Sequence, residues 1–305
     1  MKPVVLCLWL LLALPVQAGP LQNWLQQRAA SHDALAEEDV ASSGRLPAGA
    51  RKLADLAYGP DVRQRLDVYL PAGEGQGRPL LVMVHGGAWR LGSKQASNVV
   101  DNKLAHWLPA GVVLVSLDYR LLPQAPVEEQ ADDVARAVAW AQAHAAEWGA
   151  DRRQLVLMGH SAGAHLVGLL STDTALRQRH GVQLWVASVL LDSAALEVAG
   201  IMRGPHFPLY DKAFGSDASR WDRLSPTRLL GAGTPPLLAV CSMQRAQSCQ
   251  QAHGLADKGR QAGVVVQVLP QDLSHAQINQ QLGVTGDYTR QVDRFLQQSG
   301  WKPSP

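Results

Sequence analysis

The stretch Gly159-His160-Ser161-Ala162-Gly163 lies between two apolar runs and decides the fold. The run before it, residues 155–158, reads Leu-Val-Leu-Met and has the length of a buried strand. The run after it, residues 164–170, is typical of the start of a buried helix. The two glycines permit a sharp turn, because a side chain at either position would crowd the neighbouring strand or helix. We therefore expect the turn to lift the Ser161 hydroxyl to the top of a sheet.

Length, composition and charge narrow the class of protein. The chain has 305 residues, of which 47% are apolar and 18% are charged. This suits one large α/β domain or two small ones. The formal net charge of +2 provides no electrostatic footprint for nucleic acid, so we expect no nucleic-acid partner. We find no internal repeat and no low-complexity segment, and the sequence does not predict an oligomeric state.

Residues 1–18 have the pattern of a signal peptide. Lys2 provides a positive start, residues 4–16 are apolar, and Val16-Gln17-Ala18 resembles a cleavage site with small residues. The apolar segment is too short for an uncleaved membrane anchor, which takes about 20 residues. We therefore expect an exported protein, periplasmic or secreted, with no stable membrane insertion after cleavage of the signal.

Two of the three cysteines, Cys241 and Cys249, remain after the signal peptide is removed with Cys7. An even pair in an oxidising compartment, eight residues apart across an expected loop, predicts a disulfide. The alternative is two unrelated buried thiols. Two cysteines without a histidine cluster do not make a zinc shell, so no metal site is expected.

The remaining chain alternates strand and helix patterns, which predicts an α/β fold with a mostly parallel, doubly wound sheet. We assign residues 19–55 to an N-terminal extension and residues 56–305 to one domain, with a small lid inserted at about 197–230. The segment from Gln64 to Pro71 predicts an early edge strand. Further strands are predicted at 78–84, 111–117, 155–158, 183–191, 235–240 and 264–269, and helices at 97–108, 127–148, 249–263 and 288–298.

Four polar residues lie shortly after predicted strands: His85, Ser161, Asp192 and His275. Sites in such sheets form at the carboxyl ends of the strands. A serine hydroxyl is a poor nucleophile until a base removes its proton, and His275 is the histidine best placed to be that base. This shared placement indicates that the four residues belong to one site.

Two separate segments are expected to supply backbone N–H groups for an oxyanion hole near Ser161. Ala162 lies at the N-terminus of a helix, where its N–H can face a developing negative charge. Gly86 and Gly87 follow a buried strand in a His-Gly-Gly loop, and glycine lets the backbone approach a substrate carbonyl closely. His85 is expected to brace that loop, and His165 to be a packed core residue.

Several motifs of this chain resemble those of the α/β-hydrolase superfamily. More narrowly, the chain is similar to exported carboxylesterases, feruloyl-esterase-like enzymes and kynurenine-formamidase-like enzymes. The resemblance covers residues 58–298, and the motifs are LDVYLP at 66–71, HGGAWR at 85–90, DYRL at 118–121, GHSAGAH at 159–165 and SH at 274–275. It implies a serine hydrolase with a small-molecule ester substrate and no cofactor. The candidate substrate-binding residues are Trp89, His160, His206, Phe207 and Tyr210.

The acidic partner of the histidine is missing from its usual place. The family takes its acid from the loop after the strand that ends near Val240, but residues 241–249 contain neither Asp nor Glu. Asp257 belongs to the following helix and is too distant. Three alternatives stay open: Asp192 supplies the acid from the preceding strand, Asp272 supplies it, or there is no acid and Gln247 orients the histidine.

These patterns support three functional hypotheses. The favoured one is a carboxylic-ester hydrolase that acts through an acyl-enzyme on a moderately apolar acyl or aryl ester. The second is an amidase or formamidase that uses the same site. The third is a catalytically impaired binding protein on a hydrolase fold, for which the missing acid is the only support.

Overall fold

The computed structural model describes residues 44–303. The predicted signal peptide and most of the predicted extension lie outside the described residues. Eight strands form one sheet. In chain order they are β1 (Arg51–Ala57), β2 (Arg65–Leu70), β3 (Arg78–Val84), β4 (Val113–Leu117), β5 (Ala150–His160), β6 (Ala187–Leu191), β7 (Leu237–Ser242) and β8 (Val266–Gln271).

The strand order is β1-β2-β4-β3-β5-β6-β7-β8. β1 and β2 are antiparallel to their neighbours. The other six strands, β3 to β8, are parallel to one another. Two predictions need correction. β2 is not an edge strand, because β1 pairs outside it, and the expected domain boundary between residues 55 and 56 cuts through β1. β1 escaped detection because its side chains are mostly exposed and show no apolar alternation.

Helices cover both faces of this sheet, as the α/β pattern predicts. In chain order they are α1 (Ser97–Trp107), α2 (Val127–His144), α3 (Ala162–Thr172), α4 (Thr174–His180), α5 (Val198–Arg203), α6 (Pro208–Phe214), α7 (Ala218–Arg223), α8 (Pro226–Leu229), α9 (Ala246–Ala262), α10 (His275–Gln280) and α11 (Asp287–Gln298). Among residues 44–303, none of the helices combines the length and the apolar character needed to span a bilayer.

Strands β2, β3, β4, β6 and β7 are buried on both faces along almost their whole length, which explains their apolar runs. In β3, Leu80 and Val82 belong to the core on one face, and Leu81 and Met83 to the core on the other. Helices α2 and α3 pack on the first face, and α1 and α11 on the second. The predicted α/β class with a mostly parallel sheet is confirmed.

The segment between β6 and β7 folds into the four short helices α5 to α8. Part of it enters the core, since Phe214 is fully buried and Leu224 is 2% exposed. Pro226 packs on α3, where a Cβ at Gly168 would lie 3.1 Å from its ring. The predicted insertion at 197–230 is therefore packed against the sheet layer in this structure.

Candidate active site

Ser161 occupies the turn between β5 and α3 in a strained backbone conformation. Its φ is 55° and its ψ is −117°, values that cost an L-residue about 1–3 kcal/mol. A Cβ at residue 159 would lie 2.5 Å from the carbonyl oxygen of Gly163, so the turn requires glycine there. The Ser161 N–H donates to the Leu191 carbonyl at 2.9 Å, which ties the turn to β6. The structure thus contains the sharp strand-to-helix turn that the sequence predicts.

Gly163 brings the N-terminus of α3 against the loop that follows β3. A Cβ at residue 163 would overlap the carbonyl oxygen of His85. The two backbones therefore approach each other more closely than any other residue would permit. Within residues 44–303, the N–H groups of Gly86, Gly87 and Ala162 donate no hydrogen bond to the protein. Free donors from the loop and from the helix N-terminus are what an oxyanion hole requires.

Non-glycine residues with positive φ concentrate around this turn. Ala88 has a φ of 53° and Trp89 one of 59°, directly after Gly87 at 105°. Ser161 and Asp192, at the ends of neighbouring strands, have φ values of 55° and 53°. Such strain persists only where the surrounding structure imposes it, and it clusters at functional sites. This distribution supports a site at the carboxyl end of the sheet.

His85 supports the His-Gly-Gly loop at 85–87, which we call the oxyanion loop because the sequence predicts oxyanion donors there. Its ring stacks on Tyr119 with centroids 4.4 Å apart, and its Nε2 lies 3.4 Å from Asp118 Oδ1. The Tyr119 hydroxyl donates to the carbonyl oxygen of His85 at 3.0 Å. These contacts hold the loop in place, so His85 has the supporting position that the sequence predicts.

Asp192 and His275 contact each other directly. His275 Nδ1 lies 2.6 Å from Asp192 Oδ2, although 83 residues separate them in sequence. Asp192 follows β6 and His275 begins α10 after β8, and both side chains are buried. A carboxylate at Nδ1 orients an imidazole so that its Nε2 can accept a proton. The Ser161 hydroxyl itself forms no hydrogen bond with residues 44–303.

The Asp192 carboxylate receives further hydrogen bonds from the end of β7, from the short loop after it and from the first turn of α9. Ser242 N–H donates to Oδ1 at 2.7 Å and Ser248 Oγ at 2.5 Å, while Arg245 Nη1 donates to Oδ2 at 2.5 Å. Burial alone would raise the pKa of Asp192, but the Arg245 charge and the hydrogen bonds from His275 and Ser248 hold it well below its ordinary value. Asp192 is therefore ionised across the physiological range.

Arg245 is the site residue that sequence reasoning missed. Besides Asp192, its Nη1 lies 2.6 Å from His275 Nδ1. Burial lowers the pKa of His275, and the positive charge of Arg245 lowers it further against the opposing effect of Asp192. The sequence contained one signal for it. The segment at 241–249 lacks the expected acid and has a cation, Arg245, at its centre.

Of the acid candidates left open by the sequence, the structure places Asp192 against His275. Asp272 instead accepts a hydrogen bond from Gln244 Nε2 at 3.2 Å. Gln247 lines a cavity and forms no hydrogen bond with His275 among the described residues. Asp257 lies on α9, where it pairs with Arg260.

The predicted disulfide between Cys241 and Cys249 is present in the structure. Cys241 lies in β7, and Cys249 lies in the first turn of α9 rather than in a loop. The bond closes the segment that carries Ser242, Arg245 and Ser248. All three of the residues that bind Asp192 from this side are thus held within one small covalent ring.

His160 and Trp89, two of the predicted substrate-binding residues, are buried and lie outside the lining of the cavity described below. His160 is buried, and its Nε2 lies 3.0 Å from the carbonyl oxygen of His275. Its ring supports His275 from the sheet side, with centroids 4.5 Å apart. Trp89 is 4% exposed, belongs to the hydrophobic core and donates to the buried His165 at Nδ1 over 3.2 Å.

The other three predicted substrate-binding residues, His206, Phe207 and Tyr210, line one cavity of about 440 Å³ between α5, α6 and α9. Its remaining lining comprises Glu197, Gly200, Ile201, Gly204, Pro205, Thr227, Gln247, Gln250, Gln251 and Gly254. Tyr210 links the cavity to the oxyanion loop, since its ring lies 6.2 Å from that of Trp89. The carboxylate and the imidazole at its wall are paired, Glu197 with Arg228 and His206 with Asp211.

Comparisons with known proteins agree with this geometry. The BD-FAE family model matches residues 66–194. The chain is 30% identical over 132 residues to the probable isoprenylcysteine alpha-carbonyl methylesterase of Oryza sativa subsp. japonica, over 43% of this chain and 31% of that protein. It is 34% identical over 125 residues to the kynurenine formamidase of Salmo salar, over 41% of this chain and 40% of that protein. The chain thus spans well under two thirds of either relative's length.

A solved structure shows the fold over almost the whole chain. Esterase B from Lactobacillus Rhamnosis superposes with a TM-score of 0.64 at 20% identity, and the match covers 91% of this chain and 94% of that one. The chain has the α/β-hydrolase fold. The family match at 66–194 includes the loop with Gly86 and Gly87, as well as Ser161 and Asp192. Arg245 and His275 lie beyond it, and Arg245 belongs to the loop in which this chain departs from the expected pattern.

Proposed function

We propose that this α/β-hydrolase is a serine esterase that cleaves carboxylic esters through an acyl-enzyme. The observation that carries the proposal is the contact of Asp192 with His275 Nδ1, because it prepares Nε2 as a base at the sheet end that also presents Ser161. The free N–H groups of the oxyanion loop and of Ala162 support it. Relatives and structural neighbours with esterase names add further support.

The proposed reaction has two halves. His275 Nε2 takes the Ser161 proton while Oγ attacks the ester carbonyl carbon, and Gly86, Gly87 and Ala162 N–H groups bind the resulting oxyanion. The C–O bond to the alcohol then breaks, and His275 returns the proton to the departing alcohol. Water next attacks the acyl-enzyme with His275 as base, which releases the acid and restores Ser161.

Replacement of Ser161 tests this proposal. Ser161→Ala should lower kcat/KM for p-nitrophenyl butyrate at least about 10³-fold, because the nucleophile is removed. Ser219→Ala, on an exposed turn of α7, is the matched control and should keep full activity. A fluorophosphonate should add one adduct to the wild type and none to Ser161→Ala. Full turnover by Ser161→Ala contradicts the proposal, and complete inertness of the wild type to both reagents favours a binding protein.

We propose that the cavity of about 440 Å³ holds the acyl or aryl group, because its lining includes Ile201, Phe207 and Tyr210. Glu197 and His206 at its wall are each paired with a group of opposite charge. Ile201→Trp should lower kcat/KM for a hexanoate ester relative to an acetate ester about tenfold. Val62→Trp, at an 80% exposed position, should leave that ratio unchanged. An unchanged ratio in Ile201→Trp would place the acyl group elsewhere.

A formamidase is the second candidate, and the match to a kynurenine formamidase favours it. The same nucleophile, base and oxyanion donors serve an amide, with the proton from His275 delivered to a departing amine. Kinetics on a matched p-nitrophenyl ester and p-nitroanilide, together with an N-formyl arylamine, separate the two. A larger kcat/KM for the N-formyl arylamine than for the ester would favour the formamidase.

We propose that the protein is exported and loses residues 1–18. The disulfide supports export, because such bonds persist in oxidising compartments. Expression of the full chain in a bacterial host and mass analysis of the periplasmic fraction tests the proposal. The expected product begins at Gly19, and a product that keeps residues 1–18 in the cytoplasm contradicts it.

A further inference from the structure

Arg245 brings a positive charge into contact with both Asp192 and His275. Its Nη1 atom lies 2.5 Å from Asp192 Oδ2, 3.1 Å from the Asp192 carbonyl oxygen and 2.6 Å from His275 Nδ1. The His275 Nδ1 atom is in turn 2.6 Å from the same Oδ2. Three polar atoms therefore form a nearly equilateral triangle at the point where a catalytic acid and base normally meet as a pair.

The available hydrogen atoms cannot form hydrogen bonds along all three sides of this triangle at once. Nη1 carries two hydrogens, and Asp192 offers two acceptors to them, Oδ2 and the backbone carbonyl. If His275 Nδ1 carries a hydrogen, it donates to Oδ2 and competes there with the guanidinium. If Nδ1 carries none, it accepts from Arg245 and the neutral ring has its hydrogen on Nε2.

The two arrangements have opposite consequences for the proposed base. With the hydrogen on Nδ1, Nε2 has a free lone pair and can accept the Ser161 proton. With the hydrogen on Nε2, that lone pair is lost. Asp192 thus favours the tautomer that can act as a base, and Arg245 favours the other one.

We propose that Arg245 is a positioning residue that competes with His275 for Asp192 and keeps the imidazole uncharged under acidic conditions. The competition weakens the stabilisation that Asp192 offers to an imidazolium, and the guanidinium charge repels one directly. The proposed esterase should therefore retain a neutral base to lower pH than an enzyme with an unopposed acid–histidine pair. This inference rests on the proposed function, because it takes His275 as the base.

Three further titratable groups in the neighbourhood of Asp192 and His275 are uncharged. His160 packs against the imidazole from β5, and burial, together with the neighbouring His275, lowers its pKa well below the ordinary value. Burial raises the pKa values of Tyr210 on α6 and Tyr288 on α11. Both phenols are therefore neutral at physiological pH.

Lys103 approaches α10 from α1 without touching the imidazole. Its Nζ donates to the carbonyl oxygen and to the side-chain oxygen of Asn279, each at 2.8 Å. Burial lowers its pKa to about 7. Among the described residues, Asp192 and Arg245 are thus the charged groups in contact with His275, and the balance between them sets its protonation.

The decisive experiment measures His275 directly in the purified chain by NMR, without any substrate. The imidazole signals of 15N-labelled wild type, assigned by their loss in His275→Gln, give both the pKa and the tautomer. Arg245→Met should raise the pKa of His275 by about one unit or more, and should increase the fraction with the hydrogen on Nδ1. Arg245→Lys keeps the charge and should leave the pKa close to that of the wild type.

The acidic limb of the pH profile of kcat/KM should move in the same direction. It should lie about one pH unit higher in Arg245→Met than in the wild type, and Arg245→Lys should not move it. Arg245→Gln provides a second neutral side chain should the methionine variant fail to fold. A role in packing alone would lower activity in all variants without a charge-dependent shift.

Two results overturn the inference. One is a wild-type His275 pKa at or above the ordinary value of about 6.5, which needs no variant. The other is an equal pKa in the wild type and in the neutral variants. Since the NMR titration needs no turnover, either result is distinct from failure of the esterase proposal, which Ser161→Ala tests.

Discussion

Gly163 packs against His85 so closely that a Cβ at residue 163 would overlap the His85 carbonyl oxygen. This contact joins the helix that follows Ser161 to the loop that carries Gly86 and Gly87. The proposed oxyanion donors come from segments about 75 residues apart in the chain. The absence of a side chain at residue 163 lets these segments lie side by side.

Gly163→Ala should therefore separate the two sets of donors. The overlap is with backbone atoms, so the N-terminus of α3 or the loop has to shift. Displacement of catalytic groups by about 1 Å costs about 10²-fold in rate, and we expect that loss in kcat/KM on p-nitrophenyl butyrate. Gly231→Ala is the control, because the nearest atom to its Cβ would be 3.9 Å away, and it should keep wild-type activity. Equal activity of both variants would show that the close contact is not needed.

Asp192→Asn should lower kcat about 10⁴-fold while the protein stays folded. The amide keeps the shape of the carboxylate but no longer holds His275 in the base-competent tautomer. Asp272→Asn should stay within about twofold of the wild type, because Asp272 contacts Gln244 rather than His275. Steady-state kinetics on both variants checks this. A similar loss in both, or a loss in Asp272→Asn alone, would move the acid away from Asp192.

The same carboxylate should make stability depend on pH. Because the pKa of Asp192 is lower in the folded than in the unfolded chain, its contribution is fully present above the unfolded value of about 3.9 and is lost as pH falls below it. Below about pH 4, the free energy of unfolding of the wild type should fall relative to Asp192→Asn by about 1.4 kcal/mol per pH unit. Urea unfolding at pH 7, 5, 4 and 3 measures this difference. A difference that is constant with pH would contradict the shift.

Loss of the disulfide should affect both stability and the site. Cys241→Ser with Cys249→Ser opens the ring that holds Ser242, Arg245 and Ser248, all of which bind Asp192. A loop of this size predicts a loss of about 2.5 kcal/mol in the free energy of unfolding. Dithiothreitol should reproduce the loss in the wild type and leave the double variant unchanged. An identical pH profile of kcat/KM with and without the bond would mean that it does not position Arg245.

Several parts of the fold could be predicted because they are encoded locally. Buried strands such as β3 and β4 are almost continuous apolar runs. The glycines around Ser161 indicate a sharp turn, because a side chain at either position would overlap neighbouring backbone. β1 could not be predicted, because it lies at the sheet edge with exposed side chains and pairs through its backbone. The role of His160 could not be predicted either, because its neighbour in sequence is Ser161 while its contact in space is His275.

The sequence by itself determined the α/β class, the Ser161 turn, the glycines of the oxyanion loop and the pair of cysteines, because each depends on backbone conformation or burial over a few neighbouring residues. Only the tertiary structure decided which carboxylate meets His275 and that Arg245 shares it. Those choices depend on the order β5-β6-β7-β8, which places the ends of strands far apart in sequence side by side. Charge and hydrogen bonding act across that distance in space, and no local pattern records them.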